Sequence, residues 1–226
     1  RRPEGAERHS LENSSGIKTQ PTMDLKTILE QADKDITLSI NLWGSSWSDP
    51  LWQAFSSRNL WIPLYLAVIV FFFYKFGWKK ALVVVLAGIL TVALCDQLGN
   101  LCKEHFQRLR PCWDEWMTSK GLRLAEGKGN LYGFYSAHAA NSMGFAICSA
   151  SCIRHIIASK SRYYTYPIII WALLVGTSRI FVGKHFLGDV LVGLCVGALL
   201  GGLISWAAIR ISDRIRPASN GSSLPS

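Results

Sequence analysis

Five long apolar runs constrain what this chain can fold into more than any other feature. Residues 59–74 (NLWIPLYLAVIVFFFY) carry no charge and are followed by Lys75, which can snorkel. Residues 81–102 hold Asp96 as their single charge, 139–153 and 163–178 hold none, and 186–209 hold only Asp189. Crossing the hydrocarbon core of a bilayer takes about 20 helical residues, with roughly 17–25 tolerated. The third run reaches that length if residues 134–138 begin its helix. In lipid, only helices and closed barrels satisfy every backbone polar group, and these runs lack the alternation of barrel strands. The chain has 226 residues, of which 17% are charged, against about a quarter in an average soluble domain. The expected fold is an all-α integral-membrane helical bundle of about five spanning helices.

The ends differ from the middle. Residues 1–22 are polar, lack the apolar stretch of a signal peptide and precede Met23, which reads as a natural start. They are expected to be a disordered leader or added residues. Residues 24–43 carry charges but place Leu25, Ile28, Leu29, Ala32, Ile36 and Ile40 at helical spacing, with Trp43, Trp47 and Trp52 following. That pattern predicts an N-terminal amphipathic helix lying in the membrane interface. Residues 217–226 (PASNGSSLPS) form a flexible tail, leaving 23–216 as one membrane domain.

Loop charges predict the orientation. Lys75, Lys79, Lys80, Arg154, Lys160, Arg162, Arg210, Arg214 and Arg216 fall on one side. Arg58, Arg108, Lys120, Arg123, Lys128 and Lys184 fall on the other, together with the cations of the motifs below. The first side is expected to be cytoplasmic, with the C-terminus inside and the opposite face toward the periplasm or exterior. The net charge of +9 follows from topology and an anion site. No nucleic-acid-binding motif is present, so no nucleic-acid partner is expected.

Three polar clusters interrupt the apolar pattern, all where spans meet that opposite face. The first contains Lys103, Arg110 and Pro111; the second Ser136, Ala137 and His138; the third Ser178, Arg179, His185 and Asp189. Taken singly, each has an ordinary explanation as an interfacial cation or a helix cap. Asp189 is harder to explain that way, because a carboxylate inside an apolar span is costly and requires a partner. His185 lies four residues earlier, one helical turn away. Lys103 and Arg110, seven apart, would face one pocket on a continuous helix. Ser136 and the amides near Ala137 open a helix, where free N–H groups and the dipole favour anions. Three cations, two imidazoles and a helix N-terminus suit phosphoryl transfer, which needs positioning and stabilisation of spread negative charge.

The pattern K-x6-R-P, then Ser-x-His, then S-R-x5-H-x3-D resembles the type-2 phosphatidic acid phosphatase superfamily, over residues 24–216. The middle motif departs from that family's usual Pro-Ser-Gly-His, reading Tyr135, Ser136, Ala137 and His138. The resemblance implies a membrane lipid phosphate phosphatase needing neither metal nor other cofactor. It implies that His185 attacks phosphorus to form a phosphohistidine, oriented by Asp189. His138 then protonates the leaving oxygen and later activates water, while Lys103, Arg110, Ser136, Ala137 and Arg179 hold the phosphate. Undecaprenyl diphosphate, lipid A, phosphatidylglycerophosphate and phosphatidate are the substrates implied, at a bacterial inner membrane. A non-catalytic lipid-phosphate binder or flippase on the same fold, and a vanadium haloperoxidase, are the alternatives. The oligomeric state is left open.

Other residues support the architecture. Gly193, Gly197 and Gly201 form a double G-x-x-x-G that allows close helix packing. Asp96 and Asn100 read as structural polar residues near the site. Residues 112–132, with Trp113 and Trp116, are expected to rest on the membrane and shape lipid entry. Cys102 and Cys112 flank the first motif and leave a disulfide open.

Overall fold

The structure is a computed structural model that describes residues 24–215; the leader, Met23, Arg216 and the tail lie outside the described residues. Eight α-helices follow in order: α1 Leu25–Leu42, α2 Asp49–Ser56, α3 Ile62–Phe76, α4 Trp78–Phe106, α5 Glu115–Ser119, α6 Ala137–Ile156, α7 Arg162–Phe181 and α8 Leu187–Arg214. No strand occurs among the described residues. Four segments have the length and apolarity to cross a membrane: Asn59–Phe76, Trp78–Phe106, Arg162–Phe181 and Leu187–Arg214.

The remaining predicted span is α6. At 20 residues it is as long as α7, but it begins at Ala137 and residues 134–136 do not join it, contrary to the sequence expectation. Its lower apolarity has a physical reason. α6 is the centre of the bundle, packed on α4, α7 and α8, so it faces protein and uses small Ala, Ser, Gly and Cys side chains instead of lipid-facing Leu and Val. The closest packing is with α8. A Cβ on Gly193, Gly197 or Gly201 would press on the backbone at Ser136, Ala140 or Gly144 respectively, so the glycine ladder brings α8 into backbone contact with α6.

Helix α1 confirms its amphipathic pattern in an instructive sense. Leu25 and Leu29 are 67% and 61% exposed, whereas Thr37 and Asn41 are fully buried. Most of the apolar face points away from the protein, as suits a lipid interface, while Ile40 packs against Ala139, Ile180 and Val190 and the polar face grips the bundle.

The polypeptide order places the C-terminal ends of α4 and α7 and the N-terminal ends of α6 and α8 at one end of the bundle. All three motifs lie there. Lys75, Lys79, Lys80, Arg154, Lys160, Arg162, Arg210 and Arg214 cluster at the other.

Candidate active site

The first motif reaches the site by a turn, not along a helix. Helix α4 stops at Phe106, and Gln107 takes a left-handed conformation with φ 46°. Arg110 is extended (φ −75°, ψ 157°), as expected for a residue before proline, whose ring disfavours helical geometry there. The two-turn spacing inferred for Lys103 and Arg110 is therefore corrected: Lys103 comes from the end of α4 and Arg110 from an extended segment. That segment pairs with residues 131–133 through Arg110 N–H to the Leu131 carbonyl (3.0 Å) and Gly133 N–H to the Arg108 carbonyl (2.9 Å). In an extended chain, residues two apart share a face, so Arg108 and Arg110 both project toward the third motif. Lys103 lies within electrostatic reach of Arg110, Asp96 and Arg58.

The second motif caps α6. The Ser136 hydroxyl accepts from Ala139 N–H at 3.5 Å, and Ser136 N–H donates to the Asp189 carbonyl at 3.0 Å. The first amides of a helix have no acceptor within it, so Ala137 and His138 present N–H groups at the site. His138 lies within electrostatic reach of Arg179, Arg58, His185 and Arg110. Where the family pattern has proline, Tyr135 is buried, donating its hydroxyl to the Cys95 carbonyl at 2.8 Å and lying against Gly99.

The third motif supplies the most buried groups. Ser178 donates its hydroxyl to the Val175 carbonyl at 2.7 Å. Arg179, on the last turn of α7, is 5% exposed. It donates to the Ser56 hydroxyl and lies 3.7 Å from Glu126 Oε2, while its Nε is buried without a partner. His185 precedes α8 instead of lying on it, so the expected one-turn relation with Asp189 arises differently. Asp189 sits in the first turn of α8, with Oδ2 accepting from Phe186 N–H at 3.1 Å and standing 3.4 Å from His185 Nδ1. His185 and Asp189 are 2% and 0% exposed. Burial pushes the His185 pKa down to about 4, with Asp189 opposing the shift and Arg179 and Arg110 adding to it. Burial likewise lowers Arg110 and Lys184. Since Nδ1 faces the carboxylate, the opposite nitrogen, Nε2, is the one available to an electrophile.

Arg110, Arg179, His138 and His185 thus lie within electrostatic reach of one another, Lys103 joins them through Arg110 and Arg58, and Ser136 and Ala137 stand at the start of the helix that carries His138. Among the described residues, no group of three or more His, Cys, Asp or Glu side chains could hold a metal ion. The loop between the first two motifs contacts the first and third motifs. Arg110 Nε donates to the Tyr132 carbonyl at 3.1 Å, Lys184 donates to the Gly127 carbonyl, and Lys128 stands 4.4 Å over the Trp113 ring. All six cysteines are free thiols, and Cys112 contacts the Lys128 carbonyl, so Cys102 and Cys112 do not pair. Asp96 accepts from Asn141 at 2.9 Å, and Asn100 lies 3.5 Å from Lys103 Nζ.

Several residues at the site were missed from sequence. Arg58, counted only as a loop cation, places Nε 3.4 Å from His138 Nε2. Arg108, also counted as a loop cation, contacts Asp189 at 2.8 Å. Gly133 has no room for a side chain, because a Cβ there would stand 2.9 Å from Arg110 Cγ and 3.3 Å from Asp189 Oδ2. Proximity of Arg108 to the first motif was the available signal; for Arg58 and Gly133 there was none.

The PAP2 superfamily profile matches residues 76–212, which carry all three motifs. The chain belongs to the PAP2 superfamily. That is the family the motifs resemble, and the expected class of multi-pass membrane hydrolase acting on phosphate esters stands with it. Over 190 residues the chain is 30% identical to the lipid A 4'-phosphatase of Bacteroides thetaiotaomicron, covering 83% of this chain and 82% of that protein. In fold it is similar to a transmembrane PAP2-type phosphatidylglycerolphosphate phosphatase from Bacillus subtilis, with a TM-score of 0.67 at 21% identity, covering 84% of this chain and 90% of that one. It is also similar to Aquifex aeolicus LpxE, with a TM-score of 0.55 at 23% identity, covering 76% and 93% of the two chains.

Proposed function

We propose that this PAP2 enzyme removes phosphate from a lipid whose acyl chain lies in one membrane leaflet, lipid A 4'-phosphate being the first candidate. One observation carries the reading. A cavity of about 520 Å³ opens beside His138, Arg58 and Asp96 and runs between helices down to Val84, Phe72 and Cys148. From His138 to Cys148 is ten residues of α6, or about 15 Å at helical rise. That is about half of a ~30 Å hydrocarbon core, the depth of one leaflet. His138 stands where the polar end of this groove meets the cations, so a leaving oxygen beside it would belong to a molecule whose chain fills the groove. The relationship to the Bacteroides lipid A 4'-phosphatase supports lipid A over the other lipid phosphates.

The reaction proceeds in two balanced steps. His185 Nε2 forms a bond to phosphorus while the phosphorus–oxygen bond to the lipid breaks, and His138 gives its proton to the departing oxygen. Water then attacks the phosphohistidine, His138 takes its proton, and orthophosphate leaves with His185 restored. Lys103, Arg110, Arg179 and the Ala137 and His138 amides hold the equatorial oxygens, the role a metal ion plays in other phosphoryl transferases. The cation-rich end opposite this site supports a cytoplasmic C-terminus and a periplasmic active site.

The test is a panel of lipid A, phosphatidylglycerophosphate, phosphatidate and undecaprenyl diphosphate offered to the purified enzyme, with and without EDTA. Release of lipid A phosphate at a rate indifferent to EDTA is expected, and it should occur in right-side-out vesicles. Preference for another lipid would replace the substrate. Strict Mg²⁺ dependence would remove the metal-free mechanism, and turnover only in inverted vesicles would reverse the orientation.

A further inference from the structure

The turn that carries His185 is held by a helix outside all three motifs. Residues 182–186 join α7 to α8, so the last carbonyls of α7 and the first N–H groups of α8 lack partners within their helices. One polar stripe on α1 satisfies both ends: Asp33, Thr37 and Asn41, spaced four residues apart on one face. Asn41 Nδ2 donates to the Ile180 and Phe181 carbonyls at 2.9 and 3.2 Å. Thr37 Oγ1 accepts from Leu187 N–H, and Asp33 Oδ1 from Gly188 N–H, both at 2.9 Å.

The same stripe reaches the Asp189 carboxylate through one more side chain. Asp33 Oδ2 lies 2.6 Å from Arg108 Nη2, and Arg108 Nη1 lies 2.8 Å from Asp189 Oδ1. The guanidinium also stacks 4.3 Å from the centre of the Phe186 ring. We propose that Arg108, anchored by Asp33 of α1, is a positioning residue for phosphoryl transfer, fixing Asp189 so that Oδ2 stays against His185 Nδ1 and Nε2 is aimed at phosphorus. This rests on the reading of His185 as the nucleophile. A fully buried carboxylate keeps its charge and orientation only with donors around it. Arginine suits the place because its planar fork serves two carboxylates at once, one nitrogen to each, which the single ammonium of lysine does less well. Although burial works against its charge, Asp189 and Asp33 outweigh burial and raise the Arg108 pKa above its ordinary value.

The test uses the full-length chain in detergent with a lipid phosphate the wild type hydrolyses. Asp33→Asn keeps an oxygen for Gly188 N–H while removing the charge facing Arg108, so it separates the ion pair from the helix cap. Arg108→Gln is expected to lower kcat by roughly 10- to 100-fold, the scale of a slightly misplaced reacting group, with KM close to wild type and a lowered Tm, because the buried Asp189 loses a partner. Arg108→Lys should recover part of the loss, and Asp33→Asn should lower kcat less. Combining Asp33→Asn with Arg108→Gln should add little to Arg108→Gln alone, because both act on one chain of contacts. Unchanged kcat in Arg108→Gln, fully additive losses, or a kcat restored to wild type when each variant is assayed well below its own Tm would overturn the proposal. Should Arg108→Gln not fold, Asp33→Asn and Arg108→Lys decide by the same kcat and KM readings. An active wild type, silenced by His185→Ala but indifferent to changes at 33 and 108, would overturn this inference alone. A wild type with no phosphate release would overturn the nucleophile reading along with it.

Discussion

His185→Ala is expected to lower kcat/KM for phosphate release by at least about a thousandfold, the scale seen when a covalent nucleophile is removed. Orthophosphate or vanadate binding should persist, because Lys103, Arg110 and Arg179 are untouched. The split between binding and turnover separates a nucleophile from a residue that merely shapes the pocket. The pH profile gives an independent reading of the same side chain. Burial disfavours the imidazolium and pushes the pKa to about 4, so the neutral, nucleophilic form persists as pH falls from 7 until that value is approached. The acid limb that His185 contributes to kcat/KM is therefore expected near pH 4. A limb near 6.5, the value of an unperturbed imidazole, would mean that His185 is solvated in the working enzyme, and equal activity in the alanine variant would remove it from the mechanism.

Gly197→Ala should be the most destabilising small substitution in the bundle. The added Cβ would collide with the Ala140 carbonyl and stand 2.9 Å from the Gly144 backbone nitrogen. Both neighbours are backbone, so relief requires moving α8 away from the central helix, at a cost of about 3 kcal/mol or more. The same change at Gly202, which has nothing within 4 Å, should be neutral or stabilising, since alanine favours helix by about 1 kcal/mol. Thermal unfolding followed by helical circular dichroism in detergent compares the two. Equal melting temperatures would mean that α6 and α8 do not pack at this distance. Because α6 presents His138 and α8 presents Asp189, separation of the two should reduce activity together with stability.

The bundle was legible because lipid permits few solutions: runs of spanning length with at most one charge had to be helices, and the glycine repeat in α8 had to face a close neighbour. α6 was the least legible span for the same physical reason, since a helix enclosed by other helices needs no lipid-facing residues. Within the site, Lys103, Arg110, His138, Arg179, His185 and Asp189 were readable from motif spacing. How they converge was not. Arg110 arrives through a left-handed residue at Gln107 and an extended segment before Pro111, a break that Pro111 itself announced. His185 meets Asp189 across a helix start instead of along a helix face. Arg108, Asp33 and Gly133 escaped notice because their importance lies in contacts between segments far apart in the chain. Asp33 and Asp189 meet Arg108 across 75 and 81 residues, a distance over which no spacing rule operates.

If the cations of the three motifs deliver a lipid phosphate to His185, the phosphoryl group must pass through that imidazole. Quenching the enzyme during turnover of a ³²P-labelled lipid phosphate and mapping the label tests it most directly. Acid-labile phosphate is expected on His185 in the wild type and none in His185→Ala. Label on a different residue, or continued turnover in His185→Ala with no labelled protein at all, would contradict it.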